Sequence, residues 1–115
     1  MLTVQKLSQW GAHTEEGVAR CMNNETFYLM LVKKMQQDAS MQKLKEALAR
    51  DDLDTAFEAA HALKGVLANL ALTPALEPVS ELTELLRTRT QTDYSELTLR
   101  AEAAMRQLQE MINEA

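Results

Sequence analysis

The sequence predicts an all-α protein: one domain over residues 1–115, an antiparallel up-down four-helix bundle with short additional N-terminal helices. Three observations predict it. Only 3 Gly and 2 Pro stand among 115 residues rich in Leu, Ala, Met, Glu, Lys and Gln, a composition that favours helices over strands. Apolar residues recur at spacings of 3 and 4, the period of a helix with one buried face. The breaks between these stripes are short, and helices joined by short connections pack as antiparallel neighbours.

The elements follow in order. Residues 3–10 form a short helix opened by Thr3, and Thr14 caps a second short turn over 14–21. Asn23 or Asn24 caps the first bundle helix, about 24–37, with Phe27, Met30, Leu31 and Met35 on its apolar face. Met41, Leu44, Ala47 and Leu48 mark a further short helix over 40–50, an addition to the bundle. The second bundle helix, about 52–72, is the clearest. Asp51, Asp52 and Asp54 crowd its first turn, where the helix dipole favours negative charge, and Leu53, Ala56, Ala60, Leu63, Leu67 and Leu70 form one stripe. It stops at Thr73-Pro74, with Thr73 capping a new helix and Pro74 at its first position. That third bundle helix, about 75–88, buries Leu76, Val79, Leu82 and Leu86. After the polar stretch Thr88–Thr92 the fourth, about 94–113, opens near Asp93 with Glu96 in capping-box spacing and buries Leu97, Ala101, Ala104, Leu108 and Met111.

Composition narrows the function. A formal net charge of -5 with scattered basic residues argues against nucleic acid as a partner, because such binding draws on clustered Lys and Arg. The longest apolar runs are far below the roughly 20 residues of a membrane span, and no secretory h-region stands at the N-terminus, so a cytoplasmic location without a membrane partner is expected. The single Cys21 reads as a small buried hydrophobe, and His13 as a loop or helix-start residue. His13 and His61 make a poor metal pair, so no metal site is expected. Trp10 is expected to clamp the first short helix to the bundle, and the 7 Met residues to fill the core.

His61 is the exception to this ordinary pattern. At about 100° per residue it lies roughly 130° from the stripe of its helix, Gly65 roughly 170° and Lys64 roughly 70°. The imidazole therefore faces water beside a residue with no side chain. A mid-helix glycine costs about 1 kcal/mol relative to alanine, and this stripe does not require one; Gly65 instead leaves room for a bulky partner. An exposed imidazole near neutral pH is largely neutral and keeps a ring lone pair able to attack phosphorus, while an ammonium at i+3 can stabilise the transferred charge. Ala68, one turn further along, is also small. No glycine-rich loop or Walker-type lysine accompanies the histidine, so an ATP site of its own is not expected. An enzyme using His61 as general base lacks a second catalytic group in the sequence.

The run Ala60-His61-Ala62-Leu63-Lys64-Gly65, with Asn69-Leu70 beyond it, resembles the signature of histidine-containing phosphotransfer (HPt) domains. Gly17–Tyr28 is similar to the segment that precedes and opens the first bundle helix in that family, and Glu81–Arg87 to a Leu- and Glu-rich helix, so the likeness covers nearly the whole chain. The resemblance implies a phosphorelay intermediate in two-component signalling. His61 would take a phosphoryl group from a receiver-domain aspartate and pass it to another, Lys64 would stabilise it, and Gly65 would keep access open. An apolar patch including Phe57, Ala68 and the first bundle helix would dock the receiver. The partners implied are response-regulator receivers and a hybrid histidine kinase, with Mg2+ held by the receiver and no cofactor on this chain; polar outer faces suggest a monomer. A docking module whose histidine is never phosphorylated would share the same pattern. The chain departs from the family at Ala71, where a glycine is common, which predicts a different helix ending. Val66 and Leu67, bulkier than usual there, predict a changed partner preference.

Overall fold

The structure, a computed structural model, describes residues 1–114; residue 115, the end of the expected domain, lies outside them. The described residues form seven α-helices, one 3₁₀ turn and no strand. First come α1 (Val4–Trp10), α2 (Thr14–Arg20) and α3 (Glu25–Lys33), which runs into the 3₁₀ turn Lys34–Gln37. α4 (Ser40–Ala49), α5 (Leu53–Asn69), α6 (Thr73–Arg87) and α7 (Ser95–Asn113) follow, giving a body of 41 × 27 × 21 Å.

α5 packs closely along α4 on one side and α6 on the other, and α6 packs along α7. An ion pair of 2.8 Å between Lys45 and Glu102 ties α4 to α7. Between them lie Leu44 and Ala47 of α4, Ala56, Ala60, Leu63 and Leu67 of α5, Val79, Leu82 and Leu86 of α6, and Ala101, Ala104 and Leu108 of α7, all buried. These are the stripes read from the sequence, so the helices lie where one apolar face each could be removed from water. Thr83 joins them, and its hydroxyl donates to the Val79 carbonyl at 2.7 Å, which satisfies this buried polar side chain.

Two assignments change. The helix expected as an addition, 40–50, lies along α5, whereas the expected bundle helix 24–37 leaves α geometry at Lys34 and makes its close backbone approaches to α2 and to the 3₁₀ turn. Helix length separated these two segments in the sequence, and length measures how much surface a helix can bury and not where. The buried face of α3 also differs: Tyr28 and Val32 are buried, Phe27 and Leu31 half-buried and Met30 exposed, while Met35 of the 3₁₀ turn is buried as expected. Tyr28 can enter the core because its hydroxyl donates to the Leu70 carbonyl at 2.9 Å.

α1 and α2 cover one end of this body. Trp10 clamps α1 as expected, its indole Nε1 donating to Gln107 at 2.8 Å, and Lys6 pairs with Glu114 at 2.8 Å. Gly17 is the tight point of α2: a Cβ there would meet the Tyr28 ring at 2.5 Å and the Leu70 carbonyl oxygen at 2.7 Å. Cys21 is buried beside it in the core, as expected. Of the methionines, Met35 is buried, but Met1, Met22 and Met30 are exposed, so core filling accounts for only some of them.

Caps explain where the helices start and stop. Thr3, Asn24 and Asp52 accept hydrogen bonds from the backbone N–H three residues on, at 3.1, 3.0 and 3.1 Å. Thr14 and Thr73 are not caps. Each is the first helical residue, after His13 and Leu72, so Pro74 falls second. Asp93 accepts from Ser95 N–H at 2.9 Å in a turn before the helix, and Tyr94 holds the cap position without a side-chain bond. Asp51 belongs to the end of α4, not to the first turn of α5.

Candidate functional site

α5 places His61 on the exposed side of the body, midway along its length. Glu58, Ala62, Gly65, Val66 and Asn69 share that exposed arc, while Phe57, Lys64 and Ala68 form a half-buried flank. Both follow from helical phase. Phe57, one turn before His61, stacks on the imidazole with ring centroids 5.6 Å apart and an angle of 18° between planes. Neither ring nitrogen of His61 hydrogen-bonds to another described residue, so the ring is held by its face and its nitrogen edges stay open. Gly65 leaves that edge accessible: a Cβ built there meets nothing within 4 Å. Packing therefore does not need this glycine.

The electrostatics come from α6 and the turn after it. The Arg87 and Arg89 guanidinium carbons lie 5.2 and 5.0 Å from the Phe57 ring centroid, a cation–π arrangement worth about 0.5–1 kcal/mol at an exposed site. Lys64 reaches toward α6, its Nζ 3.6 Å from Glu84 Oε2, and Arg87 approaches the same oxygen at 3.3 Å. Arg87 first, then Lys64, holds the Glu84 carboxyl below the usual carboxylate range. Arg89 pairs with Asp54 at 2.6 Å. Two guanidiniums thus gather on Phe57, the ring that stacks on His61, and Lys64, three residues on from His61, joins one of them at Glu84.

Of the residues expected to form the site, His61, Lys64, Gly65 and Phe57 come together. Ala68 is half-buried at the far end of the flank, its carbonyl accepting from Arg20 at 2.6 Å. Leu67 is wholly buried, so it cannot touch a partner as expected of it, whereas Val66 is exposed and can. Ala71 adopts φ 54°, with Ala71 N–H on the Ala68 carbonyl and Leu72 N–H on the Leu67 carbonyl. This is the left-handed ending that glycine ordinarily makes, so the helix ending is not changed by the alanine.

Glu84, Arg87 and Arg89 were missed as site residues, because sequence periodicity places them only on an outer face. One signal was available: Phe57 and Arg87 lie equally far on either side of Leu72, where the chain reverses, and so fall level in antiparallel helices. A groove of about 580 Å³ between α4 and α7 includes Leu48, Leu53, Tyr94 and Leu99 and none of the site residues. A smaller one of about 260 Å³ borders the exposed arc of α5, where Val66 and Asn69 meet Leu31, Lys34 and Met35. Among the described residues no group of three or more His, Cys, Asp or Glu could hold a metal ion, and no helix is long and apolar enough to cross a membrane.

An exposed imidazole on a helical bundle, stacked on one face by Phe57, defines a helical module with a solvent-open histidine. The family model described as Hpt domain matches residues 29–115, and the chain belongs to that family. The block Gly17–Tyr28 lies before the matched residues, so the match is shorter than the resemblance suggested. No curated protein and no solved structure matches the chain. Hpt domains are helical bundles of two-component phosphorelays that interact with receiver domains and kinases and have no ATP site of their own.

Proposed function

We propose that this chain is a phosphorelay intermediate in which His61 accepts a phosphoryl group from a receiver-domain aspartate and passes it to another receiver. One observation carries the proposal: His61 has open ring edges beside a glycine that no internal contact requires, with Lys64 three residues on and Arg87 and Arg89 over the Phe57 ring that stacks on it. A bare helix surface at that point serves a partner that must come within bonding distance.

Each residue has a part in the chemistry. Phe57 holds the imidazole by one face and so limits its rotation before the partner arrives, which lowers the entropic cost of alignment. Lys64 stabilises the charge on the transferred group, and the guanidinium of Arg87 can do the same bidentately. Gly65 admits the receiver. Magnesium is expected on the receiver's side, where its acidic pocket would hold it. The receiver docks over the exposed arc of α5 and the apolar groove beside Val66 and Leu31, with Phe57 and Ala68 at its edge. An interface of this kind is small enough to release its partner after each transfer.

Incubation with a phosphorylated receiver and magnesium should place acid-labile, base-stable phosphate on the protein. His61→Gln should abolish the label with helicity and melting nearly unchanged, and Lys64→Ala should slow transfer or shorten the life of the phosphohistidine. Label retained on the His61→Gln protein would overturn the assignment.

A further inference from the structure

Lys64, three residues on from His61, and Arg87, over the Phe57 ring that stacks on it, are already engaged. Lys64 Nζ and Arg87 Nη2 lie 3.6 and 3.3 Å from one and the same oxygen, Oε2 of Glu84. Glu84 itself is exposed on α6 and has no packing role in the buried face of that helix. A phosphoryl group on His61 would carry about 1.5–2 negative charges and three acceptor oxygens, and would draw on these same donors. Carboxylate and phosphoryl group therefore compete for one pair of cations.

We propose that Glu84 is a displaceable counter-anion of the site, holding Lys64 and Arg87 while His61 is unmodified and yielding them when His61 is phosphorylated. Its charge then sets how strongly the imidazole retains the phosphoryl group. This rests on the relay function proposed above. In the transfer, a ring nitrogen lone pair forms the N–P bond as the O–P bond to the receiver's aspartate breaks. The bonding pair leaves with that carboxylate, and the other ring nitrogen keeps its proton, so the ring gains a positive charge; passage onward is the reverse. Glu84 enters none of these bonds. It is a positioning residue, acting through Lys64 and Arg87.

The exchange is energetically cheap. The Lys64 and Glu84 side chains are 34% and 59% exposed, and a pair so open to water is weak, so a group of higher charge can displace the carboxylate. The benefit to a relay is balance: cations strong enough to receive phosphate, and a resident anion that keeps them from retaining it.

The test measures the equilibrium of phosphate between a receiver and the full chain, with the phosphohistidine half-life. Glu84→Gln should shift the equilibrium toward His61 by about 1.5- to fivefold, the range set by a surface ion pair. Glu58→Gln, which removes an exposed acid one turn from His61 that pairs with no cation among the described residues, should shift it less. In a Lys64→Ala Arg87→Ala background most of the Glu84→Gln shift should vanish. A Glu84→Gln shift no larger than that of Glu58→Gln, or one that persists without the two cations, overturns the inference while leaving the relay intact. A wild-type chain that takes no phosphate overturns the relay reading, and this inference with it.

Discussion

At the residue scale, Gly65 separates function from folding most cleanly. Glycine inside a helix costs about 1 kcal/mol relative to alanine, and the space beyond its Cα is open. Gly65→Ala should therefore raise the unfolding free energy by about 1 kcal/mol, and Gly65→Gln should stay folded yet dock and exchange phosphate poorly with a receiver. Transfer by Gly65→Gln at the wild-type rate would remove the steric role. Gly17 is the opposite case, a glycine that the interior does require, since a Cβ there would strike Tyr28 and the Leu70 carbonyl. Sequence alone could distinguish the two only by helical phase. For His61, Lys64 and Gly65 phase was sufficient, because all three depend on a single helix. Glu84, Arg87 and Arg89 depend on how a second helix lies against the first, which phase does not contain.

At the element scale, the helix endings set the cost. Left-handed backbone falls on Gly11 at the end of α1 and on Met22, Asn23, Asp51, Ala71 and Arg89, which are not glycine. Asn and Asp tolerate it; for Met22, Ala71 and Arg89 it costs roughly 1–2 kcal/mol. At Ala71 a buried methyl offsets part of what glycine would gain, so the choice there is nearly balanced. Met22 has no such offset, being 82% exposed at the end of α2. Met22→Gly should stabilise the protein by about 0.5–1 kcal/mol once the greater freedom of the unfolded chain is subtracted. Denaturant unfolding would check this, and a lower midpoint would show that the exposed side chain contributes more than its backbone costs. The elements themselves were legible because each carries its own stripe and punctuation. The ranking of α3 and α4 was not, because Tyr28 and Val32 bury a different face of α3 from the one that Phe27 and Met30 suggested.

At the scale of the whole molecule, Tyr28 links the N-terminal helices to the end of α5, and its ionisation should be felt in global stability. Burial, with the nearby Cys21, pushes its phenol up from 10.0 to about 12. The unfolded chain ionises this group first. Its contribution is thus complete below pH 10.0, falls as the pH rises, and is lost as the pH passes about 12. Unfolding midpoints measured across that window should drop more steeply for the wild type than for Tyr28→Phe, which should also be less stable at neutral pH for want of the hydrogen bond to Leu70. Parallel curves would mean that this phenol ionises alike in both states. The same hydrogen bond explains why the fold as a whole was only partly legible: the all-α class follows from composition, but the seat of a polar hydroxyl in the core depends on a carbonyl 42 residues away.

The Phe57–His61 stack has one more consequence. An aromatic ring lying nearly parallel to the imidazole bathes its carbon-bound protons in a ring current, so their magnetic resonance frequencies record the distance and tilt between the two rings. The molecule thus carries an internal reporter at the atom where chemistry would occur, one that reads the arrival of a partner or a phosphate without any label being added.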